Sequence, residues 1–213
     1  SFHINDRAML TPESVDYLKK YAPIGCRDWS TVYVLREYDV PAFFSGCLTT
    51  TIGKLFPAGP GENVVDSSAY VDCRPLPGEA RTAEHSLSTQ AGPDVRHNDI
   101  TMNLRAAMEV LENYREFRRI VTSRLHCYLP CRALGLQVDF RPRNRADVRF
   151  EGLLDLGPES FHAIREGIES KLAAVFSRIL SGATETEVYE EWRKICESDL
   201  VHAEAHCRQI SSF

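Results

Sequence analysis

With 213 residues, 43% of them hydrophobic and 26% charged, the chain has the size and make-up of one large globular domain, or of one domain plus part of another. Fibrous, low-complexity and disordered classes are thereby excluded. A net charge of −5 and a pI near 5.8 exclude a global attraction to nucleic acid or an anionic membrane, so any anionic ligand has to be held by a local basic cluster.

The seven cysteines are odd in number, widely spread and set in α/β-type sequence, a pattern of reduced thiols rather than of a disulfide framework. No apolar run approaches the ~20 residues of a bilayer span, and no signal peptide opens the chain. The expectation is a cytoplasmic protein without a membrane span and without a nucleic-acid partner.

Ser1 to Ile4 reads as a short strand that begins abruptly. Thr11 is placed to cap a helix with Pro12 at its first position, and Val15, Leu18 and Tyr21 fall on one face of it. Pro23 ends that helix, and Ile24 to Asp28 make a short strand with a turn. Ser30 or Thr31 can then cap a helix carrying Val32, Leu35 and Tyr38, and Pro41 to Cys47 is the next strand. Arg27 and Asp28 stand just past a strand end, either as an ion pair that caps the following helix or as groups reaching a cleft.

From Thr49 to Arg96 the sequence is irregular and rich in Gly and Pro, with Val64, Val65 and Tyr70 to Cys73 as one or two strands. The GPGE run at 59–62 lacks the lysine and the strand-to-helix context of a phosphate loop. Asn98 to Tyr114 predicts a helix, with Ile100, Leu104, Met108 and Leu111 near helical spacing. Arg115, Arg118 and Arg119 suit its negative end.

The densest stretch follows. Ile120 to Thr122 is a β-branched strand, Leu125 to Leu134 an amphipathic helix, Gly135 its stop, and Val138 to Phe140 a second strand. This βαβ unit puts its polar residues where open α/β sheets hold ligands, at the strand end and first helical turn. Thr122 or Ser123 can cap the helix, whose free N–H groups favour an anion. Arg124 adds a fixed positive charge, and His126 a group able to carry a proton. Arg141, Arg143, Arg145 and Arg149 then form a basic loop, either solvated or anion-binding. Pro158 opens a helix through Leu172 to Leu180, broken at Gly182, and Thr184 to His206 forms a last one.

The run VTSRLHCYLPCRALG, from Val121 to Gly135, resembles the signature of the polysaccharide pyruvyl transferase family. The block from Pro23 to Thr49, PIGCRDWSTVYVLREYDVPAFFSGCLT, and the block from Asn144 to Leu156, NRADVRFEGLLDL, resemble two further blocks of that family in the same order. The resemblance implies a Rossmann-like parallel sheet flanked by helices in a GT-B-like architecture. This chain would supply the second domain with part of the first: 1–56 as the end of a first α/β domain, 57–97 as an irregular interdomain segment, and 98–213 as a second domain closed by C-terminal helices. An upstream segment is expected to complete the first half.

The activity implied is transfer of the pyruvyl group of phosphoenolpyruvate, as a ketal, to a sugar of a polysaccharide or a lipid-linked glycan precursor. His126 would be the catalytic acid or base. Arg124, Ser123, Thr122, Arg27, Asp28 and Arg149 would bind substrate. No metal or further cofactor is implied, and the oligomeric state is left open. His202 and His206, with Cys207 beside them, and Cys127 with Cys131, share helical faces, but neither group makes a complete ligand set. Two other readings remain: a GT-B glycosyltransferase using a nucleotide-sugar, and an inactive member that only binds a glycan or a partner subunit.

Overall fold

A computed structural model of the chain describes residues 1–61, 65–79, 84–87 and 99–210. It is a mixed α/β structure with two small parallel sheets flanked by helices. Two compact units form, one from Ser1–Leu48 with Ala146–Phe213, the other from Thr49–Arg145.

The first unit begins with Phe2 bridging Cys26 in parallel, its N–H donating to the Gly25 carbonyl at 2.7 Å and its carbonyl accepting from Arg27 N–H at 2.8 Å. This isolated bridge stands in place of the strand expected over Ser1 to Ile4. Helix α1 (Pro12–Lys20) starts as expected, with Thr11 as cap, and buries Val15 and Leu18. Strands β1 (Ile24–Cys26) and β2 (Ala42–Phe44) pair in parallel around α2 (Trp29–Glu37). Val32, Leu35 and Phe43 are essentially inaccessible there, and each such side chain contributes about 1.5–3 kcal/mol of burial.

Asp28, not Ser30 or Thr31, caps α2. Its Oδ1 accepts from Thr31 N–H at 3.0 Å, while both hydroxyls that could have capped the helix donate to that same oxygen. A carboxylate at the positive helix end outcompetes a hydroxyl for this role.

Helix α5 (Pro158–Leu180) and two further helices complete the unit. The single last helix expected from Thr184 to His206 is instead α6 (Glu185–Ile195) and α7 (Glu197–Ile210), separated at the buried Cys196. Thr184 and Glu187 form a reciprocal capping box at the start of α6. Trp192 donates its indole N–H to the Pro23 carbonyl at 2.8 Å, and Cys196 and Ala203 join the core around Val32 and Phe43. The C-terminal helices thus cluster with β1 and β2, a grouping that differs from the expected second domain over 98–213.

The second unit carries a four-stranded parallel sheet in the order β4-β3-β5-β6, from β3 (Val65–Val71), β4 (Glu84–Leu87), β5 (Phe117–Thr122) and β6 (Gln137–Phe140). The Gly- and Pro-rich segment, expected to hold one or two strands at Val64, Val65 and Tyr70 to Cys73, supplies β3 over Val65–Val71 and also β4, for which no strand was expected. Val64, Glu62 and Asn98, named in that reading, lie outside the described residues. Helix α3 (Ile100–Arg115) buries Tyr114 near its end but leaves Ile100, Leu104 and Met108, the expected apolar face, largely exposed.

Between β5 and β6 runs α4 (Leu125–Ala133), which buries Cys127, Leu129 and Cys131. Gly135, at φ +76°, lets Leu136 N–H return to the Cys131 carbonyl and so ends α4 where the sequence predicts. Pro130 within α4 has no N–H for the carbonyl one turn earlier, and this helix stays short.

Candidate functional site

The C-terminal edge of the second unit's sheet gathers the chain around three strand ends. Beyond β3 comes Asp72, in the left-handed region at φ +51°; beyond β5 come Ser123 and Arg124; beyond β6 comes Arg141. Thr122 is fully buried and uses its hydroxyl twice, donating to the Val71 carbonyl at 3.1 Å and accepting from Arg124 N–H at 3.0 Å. Ser123 donates its hydroxyl to the Asp72 carbonyl at 2.7 Å.

Neither hydroxyl caps α4, contrary to expectation, because both are spent stitching β5 to β3. The capping position falls to Arg124, whose side chain makes no capping bond. The first turn of α4 thus keeps the positive end of its dipole without a side-chain acceptor. Arg124 turns back to the sheet, its Nε 3.2 Å from Asp72 Oδ2, with its side chain about half exposed. His126 is exposed on the same turn, and its ring has no hydrogen-bond partner among the described residues.

A second layer of ion pairs holds this edge in place. Arg141 forks onto Glu79 at 2.7 and 2.8 Å and onto Asp139, which also accepts from Arg119 Nη2 at 2.9 Å. These bonds hold the Glu79 carboxyl down at about 2, first through Arg141 and then through Leu76 N–H. Cys73 donates its thiol to the Val121 carbonyl, and burial pushes that thiol up. Beneath α4 the Cys131 thiol is pushed up by its contact with Cys127 and by burial. Both sulfurs act as small apolar core groups.

Three other predicted residues, Arg27, Asp28 and Arg149, lie in the first unit. Asp28 is inaccessible, and besides its capping bonds its Oδ2 receives Arg27 Nε at 3.2 Å and faces His3 Nδ1 at 2.8 Å. The remaining ring nitrogen of His3, Nε2, lies 2.9 Å from Asn5 Oδ1. Arg149 forks onto Asp147, which holds that carboxyl below its usual range, with Arg149 hydrogen bonds as the leading cause and His3 as a further electrostatic contributor. The Glu151 carbonyl accepts Trp29 N–H at 3.2 Å and so docks this loop on the start of α2.

The arginines read as one basic loop are thus divided, with Arg141, Arg143 and Arg145 in the second unit and Arg149 in the first. Sequence reading missed His3, Asp72, Glu79 and Asp147. Only Asp147 carried a local signal, its spacing from Arg149; the others act through strand pairing that no spacing records. His206, weighed as a metal ligand, instead stacks on Trp29 at 3.9 Å between ring centres and lies 3.1 Å from Tyr33 Oη. Among the described residues no group of three or more His, Cys, Asp or Glu side chains is placed to hold an ion, and no helix is long and apolar enough to cross a membrane. Comparison with profiles of known families, with curated proteins and with solved structures gave no match in any of the three.

Proposed function

We propose that the protein is a phosphoenolpyruvate-dependent pyruvyl transferase of the polysaccharide type, built on a Rossmann-like, GT-B-like α/β fold and acting in the cytoplasm on a sugar or a lipid-linked glycan. The observation that carries this reading is the uncapped first turn of α4, with Arg124 held on Asp72 and His126 exposed beside it. An anion placed there meets unsatisfied N–H groups, the helix dipole and a guanidinium, the set that recognises phosphate or carboxylate. His126 has the freedom to reach a bound ligand.

The chemistry balances without a redox step. Protonation of the methylene carbon of phosphoenolpyruvate makes the methyl group, and C2 becomes electrophilic. One sugar hydroxyl oxygen bonds to C2, the C2–O bond to phosphate breaks, and a second hydroxyl closes the ketal. Of the two hydroxyl protons released, one balances the proton added to carbon and the other leaves on hydrogen phosphate. In this reading His126 delivers the proton to the methylene carbon, while Arg124 and the α4 amides stabilise charge on the departing phosphate. Ser123 and Thr122 fix the turn through their bonds to the neighbouring strand.

The test is thermal unfolding with and without phosphoenolpyruvate, repeated for Arg124→Ala and His126→Ala. At a concentration ~100 times its dissociation constant the ligand adds about 2.7 kcal/mol to stability. A shift that Arg124→Ala abolishes, with His126→Ala binding normally but failing to turn over, supports the proposal. Stabilisation by uridine or guanosine diphosphate-sugars and none by phosphoenolpyruvate replaces it with nucleotide-sugar transfer.

A further inference from the structure

Helix α3 is held to the second unit by its C-terminal end. Leu111 packs on the cluster around Phe117 and Ile120, and Tyr114 is buried. From Ile100 to Val110, by contrast, every residue but Ala106 is exposed, so about three turns of helix project from their support. Those turns carry an apolar side. Ile100 is 83%, Leu104 60% and Met108 49% exposed, and their spacing of four sets them in one row. A helix this short is marginal in water unless its apolar face is packed on something. A contiguous apolar face left open marks a place of association.

The charges beside the row define what fits it. Arg105 and Glu112, about two turns apart, share one flank. Glu112 Oε2 accepts from Arg115 Nη1 at 2.8 Å, and Arg115, with 9% of its side chain accessible, fixes that carboxylate in place. Glu112 Oε1 and the Arg105 guanidinium make no hydrogen bond or ion pair among the described residues. Leu104, Arg105, Met108 and Glu112 line one shallow depression of about 480 Å³. The flank is positive toward the helix N-terminus and negative toward the C-terminus, which is the complement of itself turned end for end. Ala107, on the opposite flank, is small enough to let a second helix approach.

We infer that this face of α3 is the interface of a two-fold homodimer, in which the α3 helices of two copies pack antiparallel with Met108 beside the axis. Leu104 of each copy then packs between Met108 and Leu111 of the other, and Arg105 of each meets the open Oε1 of Glu112 of the other. The symmetry makes every contact twice, so two Arg–Glu pairs flank one apolar seam. The opposed helix dipoles favour the same orientation. A single helix pair buries less than the ~1,200 Å² of a standard interface, so the dimer is reversible and forms in the micromolar range. The inference is independent of the pyruvyl-transfer reading.

The experiment is sedimentation velocity of the full chain from roughly 1 to 300 μM, where the sedimentation coefficient should climb from that of the monomer toward that of the dimer. Met108→Asp, at an exposed position, should keep the circular dichroism of the unaltered protein and stay monomeric throughout. Arg105→Glu should weaken association roughly tenfold or more by setting like charges together, and Arg105→Lys should retain it. Orientation is read by disulfide formation under oxidised glutathione, with the unaltered protein as the control for its native thiols. Met108→Cys should link two copies, whereas Ile100→Cys, set about 24 Å along the axis from its counterpart, should not. A monomer at every concentration overturns the inference and leaves the face to a different occupant. A dimer that Met108→Asp or Arg105→Glu leaves as tight as before also overturns it, as does linkage through Ile100→Cys as ready as through Met108→Cys.

Discussion

Arg124 Nε lies 3.2 Å from Asp72 Oδ2, so the residue that opens α4 is tied to the residue that closes β3 on the neighbouring strand. Asp72 sits at φ +51°, a conformation that Asn tolerates and branched residues do not. The pair holds a long, half-exposed guanidinium at the sheet edge beside the start of α4 and lowers the entropy lost when a ligand binds it.

Asp72→Asn should therefore fold normally but loosen Arg124. Phosphoenolpyruvate affinity is expected to fall by up to roughly tenfold, about 1.4 kcal/mol. Arg124→Lys keeps the charge without the planar fork and should bind more weakly than the unaltered protein. Isothermal titration of the three proteins checks the order.

Thr122 satisfies two backbone groups in a place water does not reach. Thr122→Val, nearly isosteric, leaves the Val71 carbonyl and the Arg124 N–H without that partner. The expected loss is about 1–3 kcal/mol for a buried group left unpaired. Thr122→Ser keeps both bonds and should cost about 0.8 kcal/mol for the lost methyl. Urea unfolding of both variants decides whether the hydroxyl or the methyl matters.

Glu79 makes the sheet edge sensitive to acid. Its folded pKa of about 2 lies below the ordinary value of 4.5, with the Arg141 hydrogen bonds as the leading cause. A depressed carboxylate stabilises the fold fully above its unfolded pKa and loses that contribution as pH falls through its folded one. Glu79→Gln should therefore melt lower than the unaltered protein at neutral pH, and the gap should narrow between pH 4.5 and about 2. Melting curves of both proteins across that range are the check.

Gly152 sits where the loop before α5 meets α2. A Cβ there would come 2.7 Å from Trp29 Cδ1 and 2.9 Å from the Phe44 ring, on a backbone at φ +84°. Gly152→Ala should cost about 1–3 kcal/mol through overpacking alone. Gly182, at φ +80° with nothing within 4 Å of its added Cβ, separates the two effects: Gly182→Ala should show only the smaller backbone strain. Thermal unfolding of the pair measures the difference.

Much of the local structure was legible in the chain. Thr11-Pro12 marked the start of α1, Gly135 the end of α4, and the β-branched run to Thr122 the strand that feeds it. These signals are short in range, because caps, turns and helical stops are settled by neighbouring backbone sterics and hydrogen bonds. Capping was read less well at two sites, for two different reasons. Ser30 and Thr31 lost the cap of α2 to Asp28, which their own hydroxyls bond two and three positions back, whereas Thr122 and Ser123 abandoned that of α4 for partners on β3 and just past it, 51 positions away.

By itself the sequence determined an α/β protein with parallel βαβ units, a soluble-type composition and a polar strand end at Thr122, Ser123, Arg124 and His126. These follow from periodicity, composition and local stereochemistry. Tertiary structure alone decided that Val65–Val71 and Glu84–Leu87 join the sheet, that the last helices pack on β1 and β2, and which carboxylate meets which cation. Asp72 lies 52 positions from Arg124, Glu79 62 from Arg141, and His3 reaches Asp28 only because Phe2 pairs with Cys26. Such partners are chosen by strand register and packing, which bring distant residues together after the local elements have formed.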